Sequence, residues 1–399
     1  MAKAEVHDIV IVGGGIGGLA LSLGLHRKGI KSLVLERSKV LRSEGAAMGV
    51  HGNGWHALDQ LKVGTDLRNC SIALTGMHYE YVSKDDKNVK TYRRELRCLR
   101  RKDLIETLAR YVPAEQMRFG CQVTSLDFDH RENLHTLTTR DGSIIKAKVL
   151  IGCDGLYSVV SKALQLAPPK FFPIWITRGF TTYPDGHPYG NHFLRLATPN
   201  NTIFGRLPID DKNIHFFVTH FDAPAGDMTD PEVVKEYTLK ILKGSPSEVM
   251  DAVTNCDMET LSMRQAGYRS PWALLNQNFR KGTMTVAGDA MHVMGPFIGQ
   301  GGSAALEDAI VLTRCLSNAI KTPADASSGK NWTERVEDGI DLYIKERRPR
   351  LMRLAIQSYL VGTLLSTKSW VVKLVVIFLL SVFFGGNNLN HALFDCGTI

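Results

Sequence analysis

Residues 7–18 read HDIVIVGGGIGG, and this stretch decides the fold. Residues 9–12 are all apolar, which is typical of a strand that is buried on both faces of a parallel sheet. Gly13, Gly15 and Gly18 then supply the G-x-G-x-x-G spacing. The first glycine permits a tight turn, the second lets a pyrophosphate approach the backbone, and the third allows close packing of helix on strand. The stretch therefore predicts a Rossmann-type strand–turn–helix unit whose helix N-terminus binds phosphate.

The residues that follow complete this unit. Residues 19–27 have the helical spacing of small and apolar side chains, Gly29 is placed to end the helix, and residues 32–35 resume as a strand. Glu36 ends that strand, and its carboxylate can accept hydrogen bonds from both hydroxyls of an adenosine ribose. Because a 2′-phosphate would be repelled there, FAD or NAD fits better than NADP. Arg37 comes next and is included among the cofactor-binding candidates.

A second glycine-rich segment, residues 288–302, reads GDAMHVMGPFIGQGG. The strand before it brings Asp289 to a carboxyl end, where open α/β sheets bind their ligands, and this carboxylate can accept hydrogen bonds from a ribityl chain. The loop that contains Gly299, Gly301 and Gly302 starts another helix. The N-terminal N–H groups of such a helix can stabilise an anionic reduced flavin. The segment therefore favours FAD as the resident cofactor.

A third segment, residues 152–158, reads GCDGLYS and is again a strand end that turns on glycine. The three motifs stand in the order and approximate spacing of the class A flavoprotein monooxygenases, the relatives of para-hydroxybenzoate hydroxylase. The chain resembles this family over roughly residues 6–350. Within the family it is most similar to the plant branch near zeaxanthin epoxidase and the salicylate-hydroxylase-like monooxygenases. That similarity is carried by residues 45–50 (GAAMGV), 53–59 (NGWHALD) and 97–104 (RCLRRKDL).

The residue pattern between the motifs predicts an inserted domain. Short β-rich runs such as residues 214–219 are separated by Pro, Gly and Asp turns, which indicates a largely antiparallel layer. The resemblance implies the same α/β fold, a Rossmann-type FAD-binding domain with an inserted, largely antiparallel β-sheet substrate domain. We predict a discontinuous FAD-binding domain that comprises residues 1–70, 96–170 and 275–360. The substrate domain would comprise residues 71–95 and 171–274, and residues 361–399 would form a hydrophobic tail.

The resemblance also implies roles for particular residues. Arg101 is expected near the FAD phosphates and ribityl chain, and the backbone of Val123 near the adenine. Gly49 is expected in the cofactor-binding set, and Asp154 in a segment that serves both FAD and NAD(P)H. The family usually has an arginine shortly after the third motif, but this chain reads VVSK at residues 159–162. This departure indicates a shifted substrate or a weakened nicotinamide interaction.

The reaction that the resemblance implies uses NAD(P)H and O₂ as co-substrates. NAD(P)H reduces FAD, and a C4a-hydroperoxide formed with O₂ transfers one oxygen atom to an electron-rich small molecule. Hydroxylation of a phenolic or aromatic acid is the first interpretation, and epoxidation of an alkene or terpenoid is the second. An FAD-dependent oxidase or reductase on the same fold stays open, as does an inactive flavin-binding scaffold. No second G-x-G-x-x-G follows a strand, so no separate NADPH domain is expected.

The sequence does not assign a catalytic base. His51, Arg206 and His292 are the candidates. A histidine such as His292 can transfer protons near neutral pH, and Arg206 can face a substrate anion from the β layer. His51 stands in an unusual position before Asn53. For each candidate, an ordinary structural or surface role is the alternative.

Composition excludes some classes of partner. The net charge of +8 suits anionic small molecules, membrane surfaces and nucleic acid about equally. Basic residues cluster at 93–102 and 345–353, but neither cluster belongs to a recognisable nucleic-acid-binding module, so no nucleic acid partner is expected. The seven cysteines include no C-x-x-C pair, so we predict reduced thiols and no metal site.

The two ends of the chain bear on location. Residues 7–12 enter a strand so early that no signal or transit peptide is expected, which favours a cytoplasmic protein. Residues 374–384 are apolar apart from one serine, and two lysines precede them. This run is shorter than the ~20 residues that span a bilayer. It is either a helix packed on the body of the protein or a contact with a membrane surface through residues 370–384.

Overall fold

The glycine-rich turn at residues 13–18 follows the central strand of a parallel sheet. The computed structural model describes residues 5–41, 47–81, 84–91, 95–198, 202–221, 227–321, 330–385 and 390–399. Two parts of the sequence motifs, residues 45–46 of GAAMGV and residues 93–94 of the basic cluster, lie outside the described residues.

The secondary structure alternates between the two kinds of segment seen in the sequence, strand–turn–helix units and short β-rich runs. Along the described residues the strands are β1 (Glu5–Val12), β2 (Leu33–Leu35), β3 (Ala47–His51), β4 (Gly76–Tyr81), β5 (Lys84–Thr91), β6 (Leu96–Arg100), β7 (Met117–Arg118), β8 (Val123–Asp129), β9 (Leu134–Thr139), β10 (Ile144–Gly152), β11 (Lys170–Thr182), β12 (His192–Ala197), β13 (Ile203–Pro208), β14 (Asn213–His220), β15 (Ser262–Tyr268), β16 (Arg280–Lys281) and β17 (Met284–Val286). The α-helices there are α1 (Ile16–Arg27), α2 (Gly52–Gln60), α3 (Gly64–Asn69), α4 (Arg101–Arg110), α5 (Val159–Ala163), α6 (Pro231–Ile241), α7 (Ser247–Thr254), α8 (Pro271–Asn276), α9 (Asp289–His292), α10 (Gly301–Lys321), α11 (Trp332–Ser366) and α12 (Trp370–Phe384).

The first sheet has the strand order β16-β17-β10-β1-β2-β7, and β9 and β8 extend it from β10. Strand β1 runs parallel to β10 on one side and to β2 on the other, and β17 runs parallel to β10. Val12 pairs with Gly152, and Gly152 pairs with Val286. The three strands that precede the glycine motifs therefore end side by side, so the motifs meet at one edge of the sheet.

The second sheet has the order β15-β11-β14-β13-β12-β4-β5. Its neighbours are antiparallel except for the parallel pair of β12 and β4. Helices α6 and α7 cover one face of this sheet, where residues such as Phe216, Val234 and Val249 form an apolar cluster. The predicted fold class, a Rossmann-type α/β domain with a largely antiparallel second sheet, is confirmed. The domain boundaries at residues 70, 95, 170 and 274 stay predictions.

Helix α10 is the central helix of the first domain. It is buried along most of its length and packs between α1 and α11. A Cβ on Gly24 of α1 would collide with the Thr313 side chain of α10, so this glycine permits the close approach of the two helices. The start of α10, which carries the loop predicted to face a flavin, is therefore fixed by packing.

Residues 390–399 pack back onto this helix layer. The Arg314 guanidinium donates a 2.7 Å hydrogen bond to the carbonyl oxygen of Cys396, whose side chain is fully buried. The Phe394 ring centre lies 5.2 Å from the Arg347 guanidinium carbon and 4.7 Å from that of Arg350. Across the described residues, every helix is too short or too polar to cross a bilayer.

A buried histidine in the first sheet predicts loss of stability in acid. His135 is 3% exposed, and its Nε2 lies 2.9 Å from the Thr283 hydroxyl, which itself donates to the Lys148 carbonyl oxygen. Burial lowers the pKa of His135 from 6.5 to about 4. The unfolded chain therefore binds the extra proton between these values, and stability falls as the pH falls through that window. We expect this histidine alone to remove about 2 kcal/mol of unfolding free energy between pH 7 and pH 5.

Urea unfolding of His135→Gln at several pH values tests this prediction. Glutamine can still reach Thr283 but does not titrate, so the variant should lose stability less steeply below pH 6.5. The matched control is His26→Asn, because His26 is exposed and its replacement should leave the pH dependence unchanged. An unaltered pH dependence in His135→Gln would contradict the prediction.

Candidate active site

The first and third glycine motifs are in direct contact at the edge of the parallel sheet. The Gly13 N–H donates to the Leu35 carbonyl at 2.8 Å, and the Cys153 N–H donates to the Val12 carbonyl at 2.7 Å. Gly13 has a φ of +107°, and a Cβ at this position would collide with the Cys153 carbonyl. Only glycine satisfies both conditions, which supports the tight-turn role predicted for Gly13.

Gly15 and Gly18 differ in what surrounds them. A Cβ on Gly18 would collide with the Gly13 carbonyl oxygen, so Gly18 allows α1 to pack closely on the turn. A Cβ on Gly15 would enter open space, and the nearest atom is Nη2 of Arg101 at 3.9 Å. The backbone at Gly15 is thus exposed to a space that a pyrophosphate can occupy, with an arginine on its far side.

That space belongs to a crevice of about 410 Å³ between the two sheets. Its lining combines all three glycine motifs with β3, the start of α4 and one edge of the second sheet: Gly15, Ile16, Gly17, Ala47, Met48, Arg101, Cys153, Gly155, Ile176, Arg178, Ser262, Arg264, Ala287, Gly288, Asp289, Gly301, Gly302 and Ala305. The crevice therefore lies outside the carboxyl ends of parallel strands, where α/β sheets bind nucleotides.

Asp289 presents its carboxylate to this crevice. No hydrogen bond or ion pair occupies that carboxylate among the described residues. The carboxylate lines the crevice among protein atoms, and desolvation there raises the pKa of Asp289. The positive charge of Arg101 acts in the opposite direction. An unoccupied carboxylate beside an arginine fits the hydroxyls and phosphates of a flavin nucleotide.

Glu36 holds the turn from the other end. Its carboxylate accepts hydrogen bonds from the Gly14 N–H and the Ser38 N–H, each at 2.9 Å. Its carbonyl oxygen accepts the N–H of Cys121, two residues before Val123, so Glu36 and Val123 lie at the same end of the turn. Neither residue lines the crevice itself, and the Arg37 side chain is exposed. Contact of these three residues with adenosine stays a prediction.

Asp154 has one carboxylate oxygen engaged and one without a partner. Oδ2 accepts the Val159 N–H at 2.7 Å, whereas Oδ1 is buried and has no hydrogen bond among the described atoms. Burial raises the pKa of Asp154. Its neighbours Cys153 and Gly155 line the crevice, so the free oxygen suits a donor from a bound ligand.

The loop at residues 299–302 lies against β3. A Cβ on Gly302 would collide with the Met48 side chain, and one on Gly299, which has a φ of +64°, would lie 3.5 Å from Nε2 of His51. His51 is thus a neighbour of the loop but does not line the crevice, and Gly49 does not line it either. In contrast, a Cβ on Gly301 would meet no atom of the other described residues within 4 Å, apart from its own helix turn.

His292 lies beneath the crevice rather than in it. The side chain is fully buried, and its Nε2 lies 2.6 Å from Oδ2 of Asp308. The same carboxylate oxygen accepts the Gly288 N–H at 2.9 Å, so His292 and Asp308 fix the backbone of the second glycine motif. His292 therefore supports the second glycine motif and does not line the crevice, and its role in proton transfer stays a prediction.

Arg206 points away from the crevice. It forms a 2.8 Å ion pair with Glu248, and its guanidinium carbon lies 3.4 Å from the centre of the Tyr189 ring. Side chains alternate between the faces of a strand, and Arg206 shares the face of Phe204, which packs under α6 and α7. The structure therefore places Arg206 outside the lining of the crevice.

Two other arginines, Arg178 and Arg264, reach the crevice from the second sheet. They lie on the adjacent strands β11 and β15, where Arg178 pairs with Ser262 and Ile176 pairs with Arg264. Among the described residues neither guanidinium has a hydrogen bond or an ion pair. Burial lowers the pKa of Arg178, and the like charge of Arg264 lowers it further. The sequence motifs did not point to this pair, because the two arginines become neighbours only through the register of β11 against β15.

A buried ion network supports the glycine motifs from behind. Arg347 of α11 forms 2.7 Å contacts with both Glu307 and Asp308 of α10, and all three side chains are fully buried. Glu307 also accepts hydrogen bonds from Arg350 at 2.9 Å and from Asn53 at 2.6 Å. Through Asp308 and the Gly288 N–H, this network connects α11 to the crevice.

Gly301 offers a test of cofactor binding that does not depend on folding. Because no atom of another described residue outside its own helix turn lies within 4 Å of its Cβ position, Gly301→Val should leave the apoprotein folded. The added side chain would enter the crevice and collide with a bound flavin, and overpacking of this kind costs about 1–3 kcal/mol. We expect the FAD dissociation constant, measured by quenching of flavin fluorescence, to rise at least ~10-fold.

Gly301→Ala is the matched control, and it should show a smaller rise because only one methyl group enters the crevice. Thermal unfolding of the three apoproteins should agree. If Gly301→Val binds FAD as tightly as the wild type, the flavin does not lie against this helix.

Comparisons with known proteins agree with this geometry. A family model described as an FAD binding domain matches residues 6–357. The chain is 43% identical over 398 residues to Monooxygenase 1 of Arabidopsis thaliana, covering 99% of this chain and 100% of that protein. It is 27% identical over 343 residues to the chloroplastic zeaxanthin epoxidase of Nicotiana plumbaginifolia, covering 80% of this chain and 50% of that protein.

A solved structure shows the same fold. The crystal structure of Klebsiella pneumoniae HpxO, complexed with FAD and uric acid, superposes with a TM-score of 0.78 at 20% identity, covering 96% of this chain and 98% of that one. The resemblance stated from the sequence motifs is thereby confirmed. The chain belongs to the FAD-binding-domain family, and it is an FAD-dependent monooxygenase of the class A, para-hydroxybenzoate hydroxylase-like group.

Proposed function

We propose that this monooxygenase hydroxylates an electron-rich phenolic or aromatic acid, with NAD(P)H as the electron donor and O₂ as the oxygen donor. The observation that carries the proposal is the pair Arg178 and Arg264, two guanidinium groups that face the crevice and have no acidic partner in the part of the chain that the structure describes. Arginine stays charged in proteins, so burying one beside another is unfavourable until an anion arrives. A substrate carboxylate between them would satisfy both through charge-assisted hydrogen bonds.

The apolar part of the crevice suits the rest of such a substrate. Ile176 lies beside the arginines on β11, and Ala47 and Met48 face them from β3. An aromatic ring held by its carboxylate at the second sheet would extend along these side chains toward the glycine motifs. Binding by one charged end fixes orientation, and the apolar walls exclude water from the reacting carbon.

The cofactor residues of the proposal are those of the glycine motifs. Gly15 and Arg101 would hold the phosphates, Asp289 the ribityl chain, and Gly301 with Gly302 the flavin ring near the start of α10. When bound, FAD supplies the transfer of electrons from NAD(P)H to O₂. The protein contributes orientation, and the N–H groups at the start of α10 stabilise negative charge on the ring. The backbone of Val123 would lie near the adenine, and the Glu36 carboxylate would bind the ribose. Asp154 would belong to the segment that serves both FAD and NAD(P)H.

Epoxidation of an alkene or terpenoid is the second candidate. It is favoured by the identity to a zeaxanthin epoxidase, a protein whose name denotes epoxidation. A neutral terpenoid, however, would leave the charges of Arg178 and Arg264 unpaired in the crevice. An FAD-dependent oxidase or reductase on this fold remains a third candidate.

Substrate-stimulated oxidation of NADH and NADPH separates these candidates. The assay would compare phenolic and aromatic acids with their methyl esters and with terpenoid alkenes, under ¹⁸O₂. The proposal expects stimulation by an acid, weaker stimulation by its ester, and one ¹⁸O atom in the hydroxylated product. Epoxide from a neutral alkene, with no response to any acid, would favour the second candidate. Stoichiometric H₂O₂ without oxygenated product would favour an oxidase.

Contact with a membrane surface through residues 370–384 also belongs to the proposal. Helix α12 covers this range, and most of its apolar side chains are exposed. Such a helix suits an enzyme whose substrate partitions between water and lipid.

A further inference from the structure

Helix α12 exposes an unusual amount of apolar surface for a helix of a folded chain. Nine of its 15 residues are large apolar side chains with exposed surface, including Trp370 at 71%, Phe378 at 65% and Phe383 at 64%. Val376 is its one buried residue. Contiguous apolar patches of this kind mark an interaction surface rather than ordinary exposure.

The exposed side chains point in many directions. At 3.6 residues per turn they cover roughly two thirds of the circumference of the helix. A helix that docks in a protein groove buries one stripe, whereas a helix that is apolar nearly all round needs an environment that surrounds it. Lipid acyl chains provide such an environment, and a single protein groove does not.

Helices α11 and α12 form a helical hairpin, and its geometry determines how α12 can lie in a membrane. It follows α11 after the short connection at residues 367–369, and the ring of Phe384, at its far end, lies 5.8 Å from the guanidinium carbon of Arg353. Because Arg353 lies well before α11 ends at Ser366, the two helices are antiparallel. Fifteen residues extend about 22 Å, which is less than the ~30 Å hydrocarbon core. The helix is thus too short to cross the bilayer, and because it is longer than the ~15 Å depth of one leaflet, it fits a leaflet with its axis along the membrane plane.

The charges around α12 are complementary to an anionic lipid surface. No aspartate or glutamate occurs in the sequence between Glu346 and Asp395. Lys368, Lys373 and Arg353 are exposed on the hairpin, and Trp370 stands at the start of α12, where aromatic rings favour the interface between lipid and water. Basic residues beside an inserted helix attract anionic headgroups.

We infer that α12 inserts into one leaflet of an anionic membrane with its axis along the membrane plane, and that it anchors the enzyme there as a monotopic protein. This inference rests on the membrane contact in the proposed function, and it is independent of which substrate is oxidised. It differs from a loose surface contact, because the apolar side chains enter the acyl region while the lysines stay among the headgroups.

Cosedimentation of the full-length FAD-loaded enzyme with lipid vesicles tests the anchor. The vesicles contain phosphatidylcholine alone or with 30% phosphatidylserine by design. The test variant carries Leu374→Gln, Phe378→Gln and Val382→Gln, three exposed positions whose change leaves the core intact. The matched control carries Val6→Gln, Val40→Gln and Leu342→Gln, which are exposed apolar residues outside α12.

We expect the wild type and the control to bind the anionic vesicles, and the partition coefficient of the test variant to fall at least ~10-fold. Lys368→Gln with Lys373→Gln should remove about 5-fold per lysine on anionic vesicles and change little on neutral ones. Equal binding by the test variant and the wild type would overturn the inference, as would absence of binding by the wild type. The inference would also be overturned if the wild type were a dimer and the test variant a monomer, because a second copy of the chain would then cover α12.

The FAD content and the substrate-stimulated NAD(P)H oxidation of the test variant should equal those of the wild type in solution. These readouts separate the two proposals. Loss of vesicle binding with normal oxidation concerns the anchor alone, whereas an enzyme that binds vesicles but oxidises no acid would contradict only the proposed reaction.

Discussion

Replacement of Arg178 by glutamine is expected to lower kcat/KM for an aromatic acid about 100-fold. The guanidinium lies on the crevice face of β11, and nothing in the described part of the chain pairs with it. A hydrogen bond to a charged group contributes about 1.5–3 kcal/mol, and the loss of a buried charge partner falls at the upper end of that range. Steady-state NAD(P)H oxidation with the acid identified by the substrate screen measures the effect.

Three comparisons make this result specific for charge recognition. Arg264→Gln should show a smaller effect of the same sign, because Arg264 is the more exposed of the two. Arg195→Gln, on β12 of the same sheet but outside the crevice lining, should behave as the wild type. The methyl ester of the substrate should react with Arg178→Gln about as well as with the wild type. An equal loss for acid and ester would mean that Arg178 supports the fold rather than the carboxylate.

Replacement of Arg347 by methionine is expected to destabilise the protein by about 3–5 kcal/mol, because it leaves two buried carboxylates without their shared partner. Glu307 and Asp308 are both fully buried, and each lies 2.7 Å from this guanidinium. Burial acts to raise the pKa of Asp308, but the charges of His292 and Arg347 hold it well below its usual range. Without Arg347, Glu307 keeps Arg350 and Asn53 as partners and Asp308 keeps only the His292 ring and the Gly288 N–H, so the buried site loses the guanidinium that both carboxylates share. Urea unfolding at neutral pH measures the loss.

The control for this variant is Arg353→Met on the same helix, where the side chain is exposed and makes no ion pair among the described residues. A second variant tests the cause. Adding Glu307→Gln and Asp308→Asn to Arg347→Met should recover part of the stability, since neutral amides cost less to bury than charges. A loss of under about 1 kcal/mol for Arg347→Met would show that water or rearrangement replaces the missing charge.

The glycine motifs could be predicted because their information is local. Gly13, Gly15 and Gly18 stand within six residues of each other, and turn geometry and phosphate binding both depend on that short spacing. The meeting of Asp154 and Asp289 with this turn also followed, because parallel strands end at one edge of a sheet. A buried strand followed by a glycine and an acidic residue is enough to predict that the acidic residue lies at this edge of the sheet.

The arginines of the crevice could not be placed from the sequence in the same way. Arg178 and Arg264 lie far apart in the chain and become neighbours through the register of β11 against β15. Arg206 was the arginine that the sequence pattern favoured, but strand parity decides which face a side chain takes, and a shift of one residue reverses it. Arg206 falls on the face of Phe204 and pairs with Glu248. Register is a tertiary property, so one strand read alone did not reveal it.

His292 illustrates a different limit. A histidine within a functional glycine-rich segment suggests proton transfer, but its partner Asp308 lies one helix further along and is fully buried. Glu307 and Asp308 are both buried, and both pair with Arg347 of α11. Long-range ion pairs of this kind have no short-range signature in the chain.

The side-by-side arrangement of β1, β10 and β17 has a practical consequence for anyone who wishes to dissect the enzyme. β10 borders β1 along one side and β17 along the other, although these strands come from three distant parts of the chain. A fragment that stops before residue 284 would lack β17 and leave an apolar strand with open backbone groups, which other chains can recruit into aggregates. The nucleotide-binding half is therefore not a detachable module, and the oxidising centre has to be assembled from the chain as a whole.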